Sequence, residues 1–113
     1  MAEGSKAGGA VMNKESSTEK IFLKTKQACM GKKPEELEEF ILKRYNILEK
    51  TSGQEFISEL VRLNASIATY AMRVSIGNIP RSRMSEFLSQ KVGKRDQILH
   101  KKVQIELPKS DWT

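Results

Sequence analysis

An all-α fold, a four-helix bundle-like single domain built around a helix at residues 54–76, is what this 113-residue sequence predicts. From Gln54 to Ile76 the polar residues Glu55, Glu59, Arg62, Ser66, Thr69 and Arg73 recur at helical spacing and make one narrow stripe. Nearly all the rest of that segment is apolar or small. Phe56, Leu60, Leu63, Ile67, Ala71 and Val74 flank one side of the stripe, and Ile57, Val61, Ala65, Ala68, Met72 and Ile76 flank the other. A surface helix needs only about 100° of apolar arc, so a helix apolar around most of its circumference has to be covered from several directions. Strong helix stops and starts on both sides, at Gly31, Pro34, Ser52-Gly53 and Gly77 through Pro80, cut the remainder into shorter amphipathic stretches that supply the cover.

Taken in order, residues 1–15 are rich in Gly, Ala, Ser and Lys without an apolar period, and they are expected to be a disordered tail ahead of a 16–107 bundle domain. The spacing Ser16-x-x-Glu19 predicts a capping box for a first helix whose face carries Ile21, Phe22, Thr25, Ala28 and Cys29 and which Gly31 ends as a left-handed cap. Pro34 followed by Glu35 and Glu36 starts a second helix, because proline lacks only a donor unused there and the carboxylates suit the positive dipole end. Leu37, Phe40, Ile41, Tyr45 and Leu48 form its apolar face. A second capping box, Ser52-x-x-Glu55, opens the central helix, and the short connection predicts an antiparallel hairpin. Gly77-Asn78 with Pro80 closes it. Ser82 is the expected N-cap of a fourth helix carrying Met84, Phe87, Leu88 and Val92; Gly93 either ends that helix or kinks it. Val103, Ile105 and Leu107 alternate with Gln104 and Glu106, a strand period that predicts a short extended C-terminal segment before a 108–113 tail.

Composition limits the function. A chain of this length buries enough surface to fold without metals or disulfides. One cysteine, Cys29, forms no intrachain disulfide and points to a reducing compartment, cytoplasmic or nuclear. The N-terminus lacks the apolar core of a signal peptide, and no run approaches the ~18 apolar residues of a membrane span. Catalysis is not expected. His100 stands alone beside Lys101 and Lys102, and Gly8-Gly9 has no strand before it to make a phosphate loop. One Cys and one His do not build a metal site, so neither metal nor cofactor is expected. Asn64-Ala65-Ser66 matches a glycosylation acceptor but falls inside the central helix.

Charge points elsewhere. The net charge is +6, and the window 73–102 carries all of that excess: Arg73, Arg81, Arg83, Lys91, Lys94, Arg95, Lys101 and Lys102 against Glu86 and Asp96. Such a field suits phosphate backbones or an acidic protein partner. Little aromatic side chain is interleaved, so stacking on single-stranded bases has small support. The expectation is a non-catalytic nucleic-acid-associated protein that contacts phosphates through those eight cations. It is expected to be a homodimer through Val61, Ala65, Ala68, Met72 and Ile76, since small side chains let helix axes approach within about 8 Å. The rival expectation is a protein–protein adaptor or assembly subunit, using apolar helix grooves and the 102–113 segment, the latter by strand addition.

Overall fold

The computed structural model describes residues 9–106, with side chains for 17–106. Five α-helical stretches follow one another: α1 (Gly9–Met30), α2 (Pro34–Glu49), α3 (Gly53–Ser75), α4 (Arg81–Phe87) and α5 (Gly93–Glu106). The last two are one continuous rod joined by a π-helical turn, Leu88–Val92. Gly93 therefore neither ends the helix nor breaks it. The weakened stretch absorbs one wide turn, which rotates α5 about its axis and seats Val92 in the core. The result is an all-α bundle of four rods in up-down-up-down order, with α3 at its centre, packed against α1 and α2 and touching α4.

Local chemistry explains most element ends. Pro34 sits in the first turn of α2, and the Lys33 N–H donates to the Glu36 carboxylate at 3.0 Å. Gly77, at φ +82°, takes the left-handed position after α3, donating its N–H to the Val74 carbonyl. Other predicted caps are replaced by distant side chains. Gly31 is not left-handed. Instead the Arg73 guanidinium closes the end of α1, its Nη1 donating to the carbonyls of Cys29 and Lys32 at 2.9 and 2.6 Å. Ser52 precedes α3 but makes no side-chain cap bond. Gly53, at φ +60°, gives its N–H to the Glu106 carboxylate on α5. α4 starts at Arg81 with Pro80 as its cap residue, so Ser82 lies in the first turn.

Two expectations shift at the chain's ends. α1 is already helical at Gly9, so the Ser16–Glu19 box lies within it and does not start it. Ala10, Met12, Lys14 and Glu15 are all good helix formers. The segment expected as extended is helical through Glu106. A lone strand has no edge to pair with, whereas a helix satisfies its own backbone; Ile105 consequently ends up 81% exposed instead of alternating inward. Residues 1–8 of the predicted tail, and 107–113, lie outside the described residues.

The core joins Leu37, Ile41, Tyr45 and Leu48 of α2 to Phe56, Leu63 and Tyr70 of α3, with Cys29, Ile79, Phe87 and Val92 closing it. Phe87 stacks on Tyr70, ring centroids 5.4 Å apart. The orientation of α3 differs from a polar-out helix. Its polar stripe faces inward: Ser66 and Thr69 are fully buried and Arg73 nearly so. This costs little, because the Ser66 and Thr69 hydroxyls donate to the Leu63 and Ala65 carbonyls one turn back, at 2.7 and 2.8 Å. Glu59, on the same stripe, accepts from Arg44 at 2.9 Å and from Arg62 at 2.8 Å. The opposite face of α3, with Ile57, Asn64, Ala68 and Ser75, is left to solvent.

Candidate nucleic-acid interface

The eight cations predicted to share one surface do not share one role. Arg73 is inside the bundle, 6% exposed, and its Nε donates to the Asn78 side-chain oxygen at 2.7 Å in addition to the two α1 carbonyls. It is a structural cap and is unavailable to phosphate. Lys102 donates to the Leu48 carbonyl at 2.6 Å and lies over the Phe56 ring. One turn on, Glu106 accepts from Gly53. α5 thus sets a cation at the carbonyl end of α2 and a carboxylate at the amide end of α3, each at the pole its charge favours. Lys102 is a clamp on the α2–α3 hairpin.

Arg83 is engaged as well. Its Nε and Nη2 donate to the two oxygens of Glu38 at 2.7 and 3.0 Å, a bidentate pair, and the Tyr70 hydroxyl donates to the same carboxylate. Burial alone would raise the Glu38 pKa; the hydrogen bonds from Arg83 and Tyr70 and the charges of Arg83 and Lys91 outweigh it and leave it below the usual 4.5. Burial, with the Glu38 partner, pushes the Tyr70 hydroxyl up, so it stays a donor across the ordinary pH range. A carboxylate whose folded pKa is depressed contributes stability that is present above its unfolded value and lost as pH falls through the folded one. Stability should therefore drop on acidification below about pH 4.5. Glu38→Gln should be destabilised relative to the native chain at about pH 6, and the gap in urea midpoint should narrow at about pH 3. An unchanged gap at both pH values would show that the cluster does not carry that share of the acid sensitivity.

What remains for a ligand is a smaller set. Arg81, Lys91, Lys94 and Lys101 are exposed, and their side chains make no hydrogen bond or ion pair with the described residues, while Arg95 donates to the neutral Asn46 side chain and forms no ion pair among them. Three of these are neighbours at i, i+3 and i+4 along the rod. Lys91, Lys94 and Arg95 line a groove of about 450 Å³ with Ser89, Gln90, Ile98 and a single carboxylate, Glu49. Gln90 and Lys91 also border an adjoining groove of about 350 Å³ that holds the Glu38–Arg83 pair. Tyr45 fixes this region from below: its hydroxyl donates to Asp96 at 3.1 Å, pinning α5 to α2.

A second basic groove went unnoticed in the sequence. Lys20 and Lys24 on α1 and Arg62 on α3 surround about 280 Å³ together with Ser17 and Thr25. The i,i+4 spacing of Lys20 and Lys24 was its only local signal, and Arg62 arrives from across the bundle. Of the residues expected at a dimer or helix interface, Ala68 and Ile76 are exposed, Val61 and Met72 half-buried, and Ala65 buried within its own chain. Among the described residues no helix is long and apolar enough to cross a membrane, and no cluster of His, Cys, Asp and Glu is arranged to hold a metal ion. No protein-family model, curated protein or solved structure matches the chain.

Proposed function

We propose that this protein is a non-catalytic binding module that engages the phosphate backbone of a nucleic acid through Lys91, Lys94, Arg95 and Lys101, with Arg81 beyond them on α4, and that it self-associates through the open face of α3. The observation that carries the first half is the groove beside the π-helical turn, where three cations converge with amide and hydroxyl donors against one carboxylate. From Lys91 to Lys101 the row is about 15 Å long at helical rise, enough to follow a few phosphates of one strand. Arg73, Arg83 and Lys102 are left out of the reading because their donors are already committed inside the fold.

Four neutralised cations predict a log–log salt slope of about −3.6 on duplex DNA, which is roughly a hundredfold loss of affinity between 50 and 200 mM salt. Fluorescence anisotropy with a labelled duplex measures it. Lys91→Glu with Lys94→Glu should flatten the slope by about 1.8 or abolish binding, while Lys20→Glu with Lys24→Glu should leave it nearly as it was. Binding that ignores salt, or that is lost only with the α1 pair, would refute this assignment. Binding to an acidic protein in place of a duplex would move the partner to that class.

A further inference from the structure

The face of α3 turned away from α1 and α2 is uncharged along its whole length, in a chain in which 30% of residues are charged. Ile57 and Ile76 at its two ends are 37% and 65% exposed, Ala68 is exposed near its middle, and Val61 and Met72 are half-covered between. The order of these residues is nearly the same read from either end: isoleucine, a larger apolar residue, alanine, a larger apolar residue, isoleucine. Ile57 stands as far before the midpoint between Ser66 and Ile67 as Ile76 stands after it, and the same holds for Val61 with Met72; Ala68 lies just past that midpoint, while Ala65 is buried within its own chain.

Resting on the self-association just proposed, we infer that two copies pair through α3, antiparallel, about a two-fold axis that passes between Ser66 and Ile67. In that register Ile57 meets the second copy's residue 76, Val61 meets residue 72, and Ala68 of each copy lies beside the axis. Small residues at the crossing and large ones toward the ends are what two close-approaching helices need, since the axes can come within about 8 Å only where side chains are short. A two-fold interface must be self-complementary, and this face is. Charge favours the same occupant. Two molecules of net charge +6 repel over most approaches, and this strip brings no like charges into contact.

The chain's own residues 107–113 are the competing cover. Glu106 lies beside Gly53, at the start of α3. Those seven residues, however, offer only Leu107 and Trp112 as large apolar side chains, too few to occupy both ends and the middle. A standard dimer buries about 800 Å² per partner, near a tenth of a 7644 Å² surface. One helix face about 27 Å long supplies less than that, so the association should be reversible.

Sedimentation over a concentration series from about 1 to about 200 µM reads that association. The mass should climb from 12.8 kDa toward twice that, and Ala68→Glu, which sets two carboxylates at the axis without touching the core, should hold it at the monomer. Cross-linking then reads the register, with the only native cysteine buried and out of reach. Ile57→Cys mixed with Ile76→Cys should form disulfide-linked pairs on oxidation. Either variant alone should not, because its two sulfurs would be about 28 Å apart and a disulfide needs Cα atoms within about 7 Å. Cross-linking by each variant alone, in a protein that does dimerise, overturns the antiparallel register and leaves self-association standing. A monomer at every concentration overturns both, and if Ala68→Glu then changes the fluorescence of Trp112, the chain's own C-terminal residues hold the face.

Discussion

Arg73→Ala should cost about 3 kcal/mol of folding stability, a large share of the roughly 6–15 kcal/mol that a domain of this length possesses. The guanidinium makes three charge-assisted hydrogen bonds from a site only 6% exposed, two of them to backbone carbonyls at the end of α1. Removing it deletes those bonds, takes the charged donor from the Lys32 carbonyl and leaves the Cys29 carbonyl only the Lys32 N–H at 3.3 Å, at the pole of α1 where a cation is favoured. Lysine is an incomplete substitute. Arg73→Lys retains the charge but not the planar fork that reaches two carbonyls and Asn78 together, so its loss should fall between native and alanine. Because α1 is held chiefly by α3, the loss should appear first in α1. Hydrogen exchange should show protection lost over the last turns of α1 while α2 and the lower half of α3 retain theirs. A thermal midpoint lowered by about 12 °C or more is expected. If Arg73→Ala melted with the native chain and lost only nucleic-acid affinity, its assignment as an internal cap would be wrong.

The second large effect should come from Glu59. Its carboxylate is 13% exposed and accepts from Arg44, equally hidden, and from Arg62, which is 35% exposed. Glu59→Gln keeps the shape and removes the charge, leaving Arg44 a buried cation whose Nε already lacks a partner. A loss of about 2 kcal/mol is expected, less than for a fully enclosed pair because water reaches Arg62 and the edge of the cluster. Arg44 also lies over the Phe40 ring, 4.8 Å from its centroid, which keeps its position when the carboxylate is neutralised. The informative comparison is Glu59→Leu with Arg44→Met. Replacing both buried partners by apolar groups of similar size should recover most of what the single change loses, since neither charge is then desolvated alone. Denaturant melts of the two singles and the double give the coupling directly. Additive losses would mean that Arg44 and Glu59 are independent of each other.

These two residues also mark where local pattern stops being informative. Glu59 and Arg73 belong to a stripe of α3 that is polar by composition. A solvated stripe is the ordinary reading of such residues, yet here the stripe is the inner face. The inversion is possible because its buried members find partners in the fold: Ser66 and Thr69 in their own preceding turn, Glu59 in Arg44, Arg73 at the end of a helix some forty positions earlier in the chain. The same logic thinned the basic surface. Arg83 and Lys102 look free in a list of charges and are committed once α2 is beside them, whereas Lys91, Lys94 and Arg95, already neighbours at i, i+3 and i+4, enter no ion pair among the described residues.

The residue order alone settled that the chain is helical, where α2 and α3 begin and end, that they form a hairpin, and that α3 is central. Those features rest on proline, glycine and side-chain periodicity acting within a few residues, and such forces are written locally. Which side of α3 turns inward, which cations remain for a ligand, and the continuation of the last rod past Gly93 were decided by packing. Each depends on a hydrogen-bond partner or a wall supplied from a distant part of the chain, and periodicity measures how polar a face is without recording what stands opposite it.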